Sequence, residues 1–444
     1  MLKKNKLPHI FNFMEKISFS VQSSTAAQKR NYRENVRLEN ISIFLMLLVI
    51  FLNPFPHTTF LDQLFFYAAI LPMIVVARNG FDGFYYKTPL FYPLVLFFSW
   101  SVISVIFALD KLDSAHDLYS HLIRYMIFYL VVVNLFYTKK RLLLLAVCVV
   151  LSEFIFASGA LLLYYGILGH DISSRFMLDG FKAIAPDIIP FGFMLGLFLA
   201  VWLFKICQNK FQRFFLVVAI IVLILSTIAT QSRGAAIALC ISFFVLLWDH
   251  KKTLGILMAA MSLIILLSPI QNRIKGDKLF QDDHRAGLIL YSIEVIKDYP
   301  VLGTGFSIDA FRNPKFINKE TYRSRIPKKY RNHGFYRPHS IFLSMATRTG
   351  IVGMALYAGL FVVSAFICCR LILYGKDSFI QNHARCCLAL LIMFLTNGLF
   401  QVMTTHFIDM IQFITFSLLT IIWKINKDTP QSQCHKIEVD RQKS

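Results

Sequence analysis

The stretch FFLVVAIIVLILSTIAT (Phe214–Thr230), followed at once by QSRGAA (Gln231–Ala236), decides how the rest of the chain is read. Its first part carries no charged side chain and approaches the about 20 apolar residues that cross a bilayer core as a helix. Arg213 and Arg233 bound it. An Arg flanked by small residues between two apolar runs is costly unless it faces protein, water or an anion, or snorkels to the headgroups.

Apolar runs of this kind recur from residue 41 to residue 423. Hydrophobic residues make up 56% of the 444 and charged residues only 16%, with mean hydropathy +0.58. A soluble domain carries about 25% charged residues, so a water-exposed globule is excluded and an all-α polytopic membrane protein is expected. Reading apolar runs between charge clusters gives twelve spans. The first six are Ile41–Phe60, Leu61–Val76, Leu90–Leu109, Leu118–Tyr137, Leu142–Leu168 and Ile188–Leu203. The last six are Phe214–Thr230, Ala235–Trp248, Leu254–Pro269, Ile351–Leu373, Ala384–Met403 and Phe407–Trp423.

The remaining segments follow. Residues 1–40 form a basic tail, 41–269 hold spans one to nine, 270–350 form one large loop, 351–423 hold spans ten to twelve, and 424–444 form a second tail. The first tail lacks the apolar core of a cleavable signal peptide. Short connections bearing Lys139-Lys140-Arg141, Lys205/Lys210/Arg213, Lys251-Lys252 and Arg370/Lys376/Arg385 fall on one side, while Asp110–Asp117, with three Asp against one Lys, falls on the other. The positive-inside bias therefore puts both termini in the cytoplasm.

Charge is strongly one-signed: 46 basic against 25 acidic residues, a formal +21. Topology accounts for much of it, but not for the loop. From Arg273 to Arg348 the loop holds fifteen Lys/Arg and seven Asp/Glu, a net +8 on the outer face. Loops this long are usually functional, and a basic outer domain suits an anionic ligand such as phosphate, pyrophosphate or acidic glycan, or else anionic lipid headgroups. Nucleic acid is not expected as a partner. Within the loop, DHRAGLILYSIEVIK (Asp283–Lys297) has helical spacing and ends at Asp298-Tyr299-Pro300, before a turn at Gly303-Thr304-Gly305. Phe316–Arg337 reads as an irregular basic lid, and His339–Thr347 as a further helix before span ten. The eight Cys show no metal-type spacing and read as apolar packing residues.

Three places carry candidate chemistry. Arg233 lies at the outer end of span seven, Arg285 on the loop helix, and His339 at a helix start within Arg337-Pro338-His339-Ser340. A helix N-terminus disfavours the imidazolium, which suits a general base near neutral pH. Each residue alone has a plainer reading: an interfacial anchor, a solvated charge, a structural histidine. Together, TQSRGA (Thr230–Ala235), HRAGLILYSIEVIKDYPVLGTGF (His284–Phe306) and HSIFLSMATRTGIVG (His339–Gly353) resemble the signatures of the O-antigen ligase superfamily, the membrane glycan ligases and polymerases of bacterial envelopes. Two positions depart from the family pattern: Ser340 stands where Asn is usual, and Arg348 where an acidic residue is usual.

The resemblance implies an enzyme of the bacterial inner membrane with a periplasmic active site. Its donor would be a glycan on undecaprenyl pyrophosphate and its acceptor a hydroxyl of lipid A-core. Arg233 and Arg285 would stabilise the leaving pyrophosphate, and His339 would take the acceptor proton in a metal-independent, inverting transfer without a cofactor. Arg337, Arg175 in the loop after span five, and His121 with Arg124 on one face of span four are candidates for substrate binding, the last two equally readable as interface residues. An O-antigen polymerase or a protein O-oligosaccharyltransferase fits the same motifs. A transporter or flippase would place charges near the midplane, often in repeated halves, whereas Glu153 is the clearest charge inside these spans.

Overall fold

A computed structural model describes residues 34–78, 84–177, 188–252, 283–311, 313–331, 338–401 and 405–429, with positions 255, 256 and 259. Apart from those three positions, the expected ninth span, Leu254–Pro269, lies outside the described residues, as do Arg337 and most of both tails. Among the described residues every regular element is helical.

The helices are α1 Glu34–Leu52, α2 Thr59–Arg78, α3 Phe91–Ile106, α4 Lys111–Leu135, α5 Lys139–Ile167, α6 Pro190–Ile206, α7 Lys210–Ala229, α8 Arg233–Leu246, α9 Asp283–Asp298, α10 Lys319–Arg325, α11 Ile341–Tyr374, α12 Ser378–Gly398 and α13 His406–Asp428. Eight of them (α1, α2, α4, α5, α7, α11, α12 and α13) are long and apolar enough to cross a membrane. That is fewer than the twelve expected, because α3, α6 and α8 are apolar but shorter. At 14 residues, α8 spans about 21 Å, against about 30 Å of hydrocarbon.

α6 is buried on every side from Pro190 to Leu203, as expected of a helix that is apolar all round. It packs against α5, α7, α12 and α13. Glu153 of α5 is buried against it, its carboxylate and stem meeting α6 at Gly192 and Gly196, where a Cβ would collide with them.

Ion pairs tie one set of helix ends together. Lys139 at the start of α5 pairs with Asp377 before α12 at 2.6 Å. Arg141 holds Glu39 of α1 through two bonds of 2.5 and 2.9 Å, and Arg385 pairs with Asp249 beyond α8. The Lys205 ammonium donates to the Leu246 carbonyl at 3.0 Å. These are the residues whose basic connections the sequence groups on one side. The turn after α7, the end of α12 and the start of α13 belong to the opposite end.

α4 begins earlier than expected. It takes in most of the acidic Asp110–Asp117 segment, and Asp110 caps it by accepting from the Asp113 N–H. A π turn at Tyr119–Ile123 interrupts it, and another, Leu162–Ile167, closes α5. In the loop, α9 forms as read, burying Leu288, Tyr291 and Val295, while Ile293 turns outward. The segment expected as an irregular lid is ordered where described. Asn318 caps α10, and Tyr322 and Ile326 join Leu288, Tyr291, Val295, Phe311 and Ile317 in a second small core. Beside it, the Tyr322 hydroxyl and the Arg325 guanidinium hold the Asp298 carboxyl below the usual carboxylate range.

Candidate functional site

The QSRGA segment is a tight turn between α7 and α8. Gln231 adopts a positive φ of 50°, and the Ser232 hydroxyl caps α8 by accepting from the Ala235 N–H. The loop after α5 docks onto this turn. The Phe176 N–H donates to Ala229 O at 3.0 Å, Arg175 Nε donates to Thr230 O at 3.0 Å, and Gln231 Nε2 donates to Ser173 O at 2.9 Å. Tyr164, in the π turn of α5, donates to the Arg175 carbonyl at 2.7 Å. Arg175 therefore reaches the turn that carries Arg233.

All three motif residues stand at helix starts. Arg233 is the first residue of α8, Arg285 lies in the first turn of α9, and His339 precedes Ser340, the N-cap of α11. A cation in the first turn of a helix opposes the macrodipole by about 0.3–1 kcal/mol, whereas an anion gains a similar amount. Arg233 and Arg285 thus occupy positions that favour an anion beside them. α9 packs against α11, the helix that follows His339.

The second and third motifs form a knot. α11 breaks at Gly350, with φ 73° and ψ 178°, which leaves the last carbonyls of its first segment without helical donors. The Gly303-Thr304-Gly305 turn supplies them. Thr304 N–H donates to Thr347 O at 2.8 Å and Gly305 N–H to Arg348 O at 3.0 Å, while Ile351 N–H beyond the break donates to Pro300 O at 2.8 Å. Trp100 Nε1 donates to Thr349 O at 2.9 Å. Gly303 and Gly305 have φ of 70° and 109°, a region glycine enters without penalty. Arg348, 4% exposed, donates through Nε and one terminal nitrogen to Phe306 O at 2.9 and 2.6 Å and lies over the Phe306 ring at 4.2 Å. It locks the end of the Gly-x-Gly-Phe segment into the break.

A polar cluster that the sequence reveals only in part lies beside the knot. His121, in the π turn of α4, meets Asp409 of α13 at 2.6 Å, and its ring stacks on His406 at 4.5 Å with planes 4° apart. Tyr125 donates to the His406 carbonyl at 2.9 Å, and Tyr357 donates to Gln412 at 2.9 Å. A cavity of about 20 Å³ lies among His121, Asp409, Gln412, Arg348 and Tyr357, room for one water. Arg124 is buried against the rings of Phe66 and Tyr125, so its guanidinium packs between helices α2 and α4.

Two groups of possible metal ligands assemble that chain spacing conceals. One is His121, His406 and Asp409; the other is Asp113, His116 and Asp117. In the first, parallel stacked rings cannot aim their in-plane lone pairs at one point, which argues against chelation in this arrangement. In the second, Asp113 accepts from the Ser307 hydroxyl and Asp117 from the Ile308 N–H at 2.7 Å, so these carboxylates anchor the chain after Phe306. The Asp409–His121 contact joins α13 to α4. Asp409→Ala is expected to cost about 2 kcal/mol, the worth of one charge-assisted bond, read as a lower thermal midpoint of the purified protein.

The spacing of His406 and Asp409, at i and i+3, puts both on one helix face. That spacing is visible at the start of the twelfth expected span, Phe407–Trp423, which contains Asp409. No curated protein matches the chain. Residues 218–358, from α7 through the knot into α11, match the family model described as O-antigen ligase. The match contains all three motifs, and it supports the resemblance of this part of the chain to the O-antigen ligase superfamily.

Proposed function

We propose that the protein is an O-antigen ligase that transfers a glycan from undecaprenyl pyrophosphate to a hydroxyl of lipid A-core on the periplasmic face of the inner membrane. The observation that carries this reading is the placement of Arg233 and Arg285 in the first turns of α8 and α9, with Arg175 drawn onto the turn before α8. Guanidinium forks match phosphoryl oxygens bidentately and stay charged at any relevant pH. Helix N-termini add their own N–H groups.

In the transfer, His339 takes the proton of the acceptor hydroxyl as its oxygen attacks the anomeric carbon. The bond from that carbon to the pyrophosphate oxygen breaks on the opposite face, so configuration inverts. Arg233 and Arg285 hold the growing negative charge of the leaving diphosphate, commonly among the largest contributions to such a barrier. The twelve-span layout, with both termini in the cytoplasm and residues 270–350 outside, belongs to this reading.

A deletion strain complemented with the Arg285→Ala variant tests it on a lipopolysaccharide gel. The expected result is bare core, with polymer accumulating on the lipid carrier. Core capped by a single repeat would instead identify a polymerase. An unchanged ladder would remove Arg285 from the machinery.

A further inference from the structure

Asn397 lies in the last turn of α12 and is fully buried. Neither its Oδ1 nor its Nδ2 has a hydrogen-bond partner among the described residues. Buried side-chain amides are nearly always paired, because desolvating one without compensation destabilises the fold. This one faces a definite target. Its Oδ1 stands 3.1 Å from the point where a Cβ on residue 234 would project, and Gly234 has none. The amide therefore looks onto the bare backbone of the first turn of α8, a 14-residue helix opened by Arg233. α12 packs along α8, which fixes the amide relative to that turn.

The first-turn backbone of a helix on one side, and an uncharged side-chain amide on the other, suit an oxyanion rather than a cation or an apolar group. We propose that Asn397 is a further ligand of the donor's diphosphate: its Nδ2–H donates to a phosphoryl oxygen held at the first turn of α8 beside Arg233. This assignment rests on the lipid-diphosphate reading above. It also accords with the glycine at 234, since a Cβ there would press on the amide oxygen at 3.1 Å.

The test uses the full-length protein in lipid nanodiscs and the isosteric variant Asn397→Leu. Thermal unfolding is read first. Replacing an unpaired buried amide by a well-packed apolar group is expected to raise the midpoint by about 2 °C, whereas an amide that serves the fold would lower it. Binding is read second, with undecaprenyl pyrophosphate in the disc and, separately, with inorganic pyrophosphate in solution. Asn397→Leu is expected to weaken the lipid diphosphate roughly tenfold. A parallel loss for inorganic pyrophosphate assigns the contact to the diphosphate itself, while wild-type binding of the inorganic ion overturns that assignment.

Arg233→Ala separates this inference from the reading beneath it. If Arg233→Ala loses the lipid diphosphate and Asn397→Leu binds it like wild type, the donor reading stands and the role of Asn397 falls. If the wild-type protein binds neither probe, both fall. Should Asn397→Leu not fold, Asn397→Ser, which retains a shorter donor, is measured in the same way, and unchanged affinity overturns the proposal.

Discussion

Replacing His339 with alanine is expected to lower the transfer rate by about 10²–10⁴, the usual contribution of a positioned general base, while the protein still folds. His339 sits one residue before the N-cap of α11, so truncating its ring leaves the backbone hydrogen bonds within α11 in place. The loss should fall on kcat more than on KM, because proton removal belongs to the transition state and not to binding the donor. The measurement is single-turnover transfer from purified lipid-linked glycan to core acceptor in proteoliposomes, across pH. Wild type should lose activity on the acid side as the base protonates, and the variant should lack that limb. Added imidazole should restore part of the rate. Activity within twofold of wild type, with the same pH profile, would remove His339 from the role of base. Arg233→Lys is an informative companion: it keeps the charge and loses the planar fork, so a large defect there points to bidentate phosphate contact rather than to charge alone.

The helices were legible in the sequence because a membrane helix announces itself by composition alone. α7 needs only its uncharged run, and the small-residue turn after it marks where α8 begins. The end of α9 and the start of α11 were equally readable, since Asp298-Tyr299-Pro300 and Arg337-Pro338-His339-Ser340 are local stop and start signals. What could not be read is whatever depends on two distant segments meeting. Arg348 appeared only as a departure from a family pattern, yet its guanidinium holds the Phe306 carbonyl. Asp409, inside the expected span Phe407–Trp423, carried no sign of a partner; its contact at 2.6 Å is with His121 of α4, far away in the chain. Asn397 gave no signal, because a single Asn near the end of an apolar run is indistinguishable from one at the interface. The extended start of α4 was missed for the opposite reason. Its acidic first turns looked like a loop, and only their bonds to Ser307 and Ile308 explain why they are helical and half-buried. One helix length was overread: span three was expected over Leu90–Leu109, whereas α3 runs Phe91–Ile106.

The other large effect concerns the backbone. Gly350→Ala is expected to abolish the folded protein, whereas Gly359→Ala, one helix segment further on, should be silent. At Gly350 the chain has φ 73° with ψ 178°, a region essentially closed to residues with a Cβ. An added methyl would also overlap the Val301 carbonyl. Relieving that overlap means moving either Val301 or the break, and both belong to the knot in which Thr304, Gly305 and Trp100 satisfy the carbonyls of residues 347, 348 and 349. Each lost bond would strand a buried carbonyl at about 1–3 kcal/mol. Added to the strain of about 1–3 kcal/mol at residue 350 itself, the total reaches the 5–15 kcal/mol by which proteins are ordinarily stable. Gly359 has open space around its missing Cβ and lies in regular helix, where alanine is the better former by about 1 kcal/mol. Size-exclusion profiles of the two variants in detergent make the comparison. Gly350→Ala should aggregate or fail to accumulate, and Gly359→Ala should elute like wild type. A monodisperse, thermally normal Gly350→Ala protein would mean that the break is not held as described. The knot would then lose its claim to fix the start of α11, and with it the placement of His339 relative to α9.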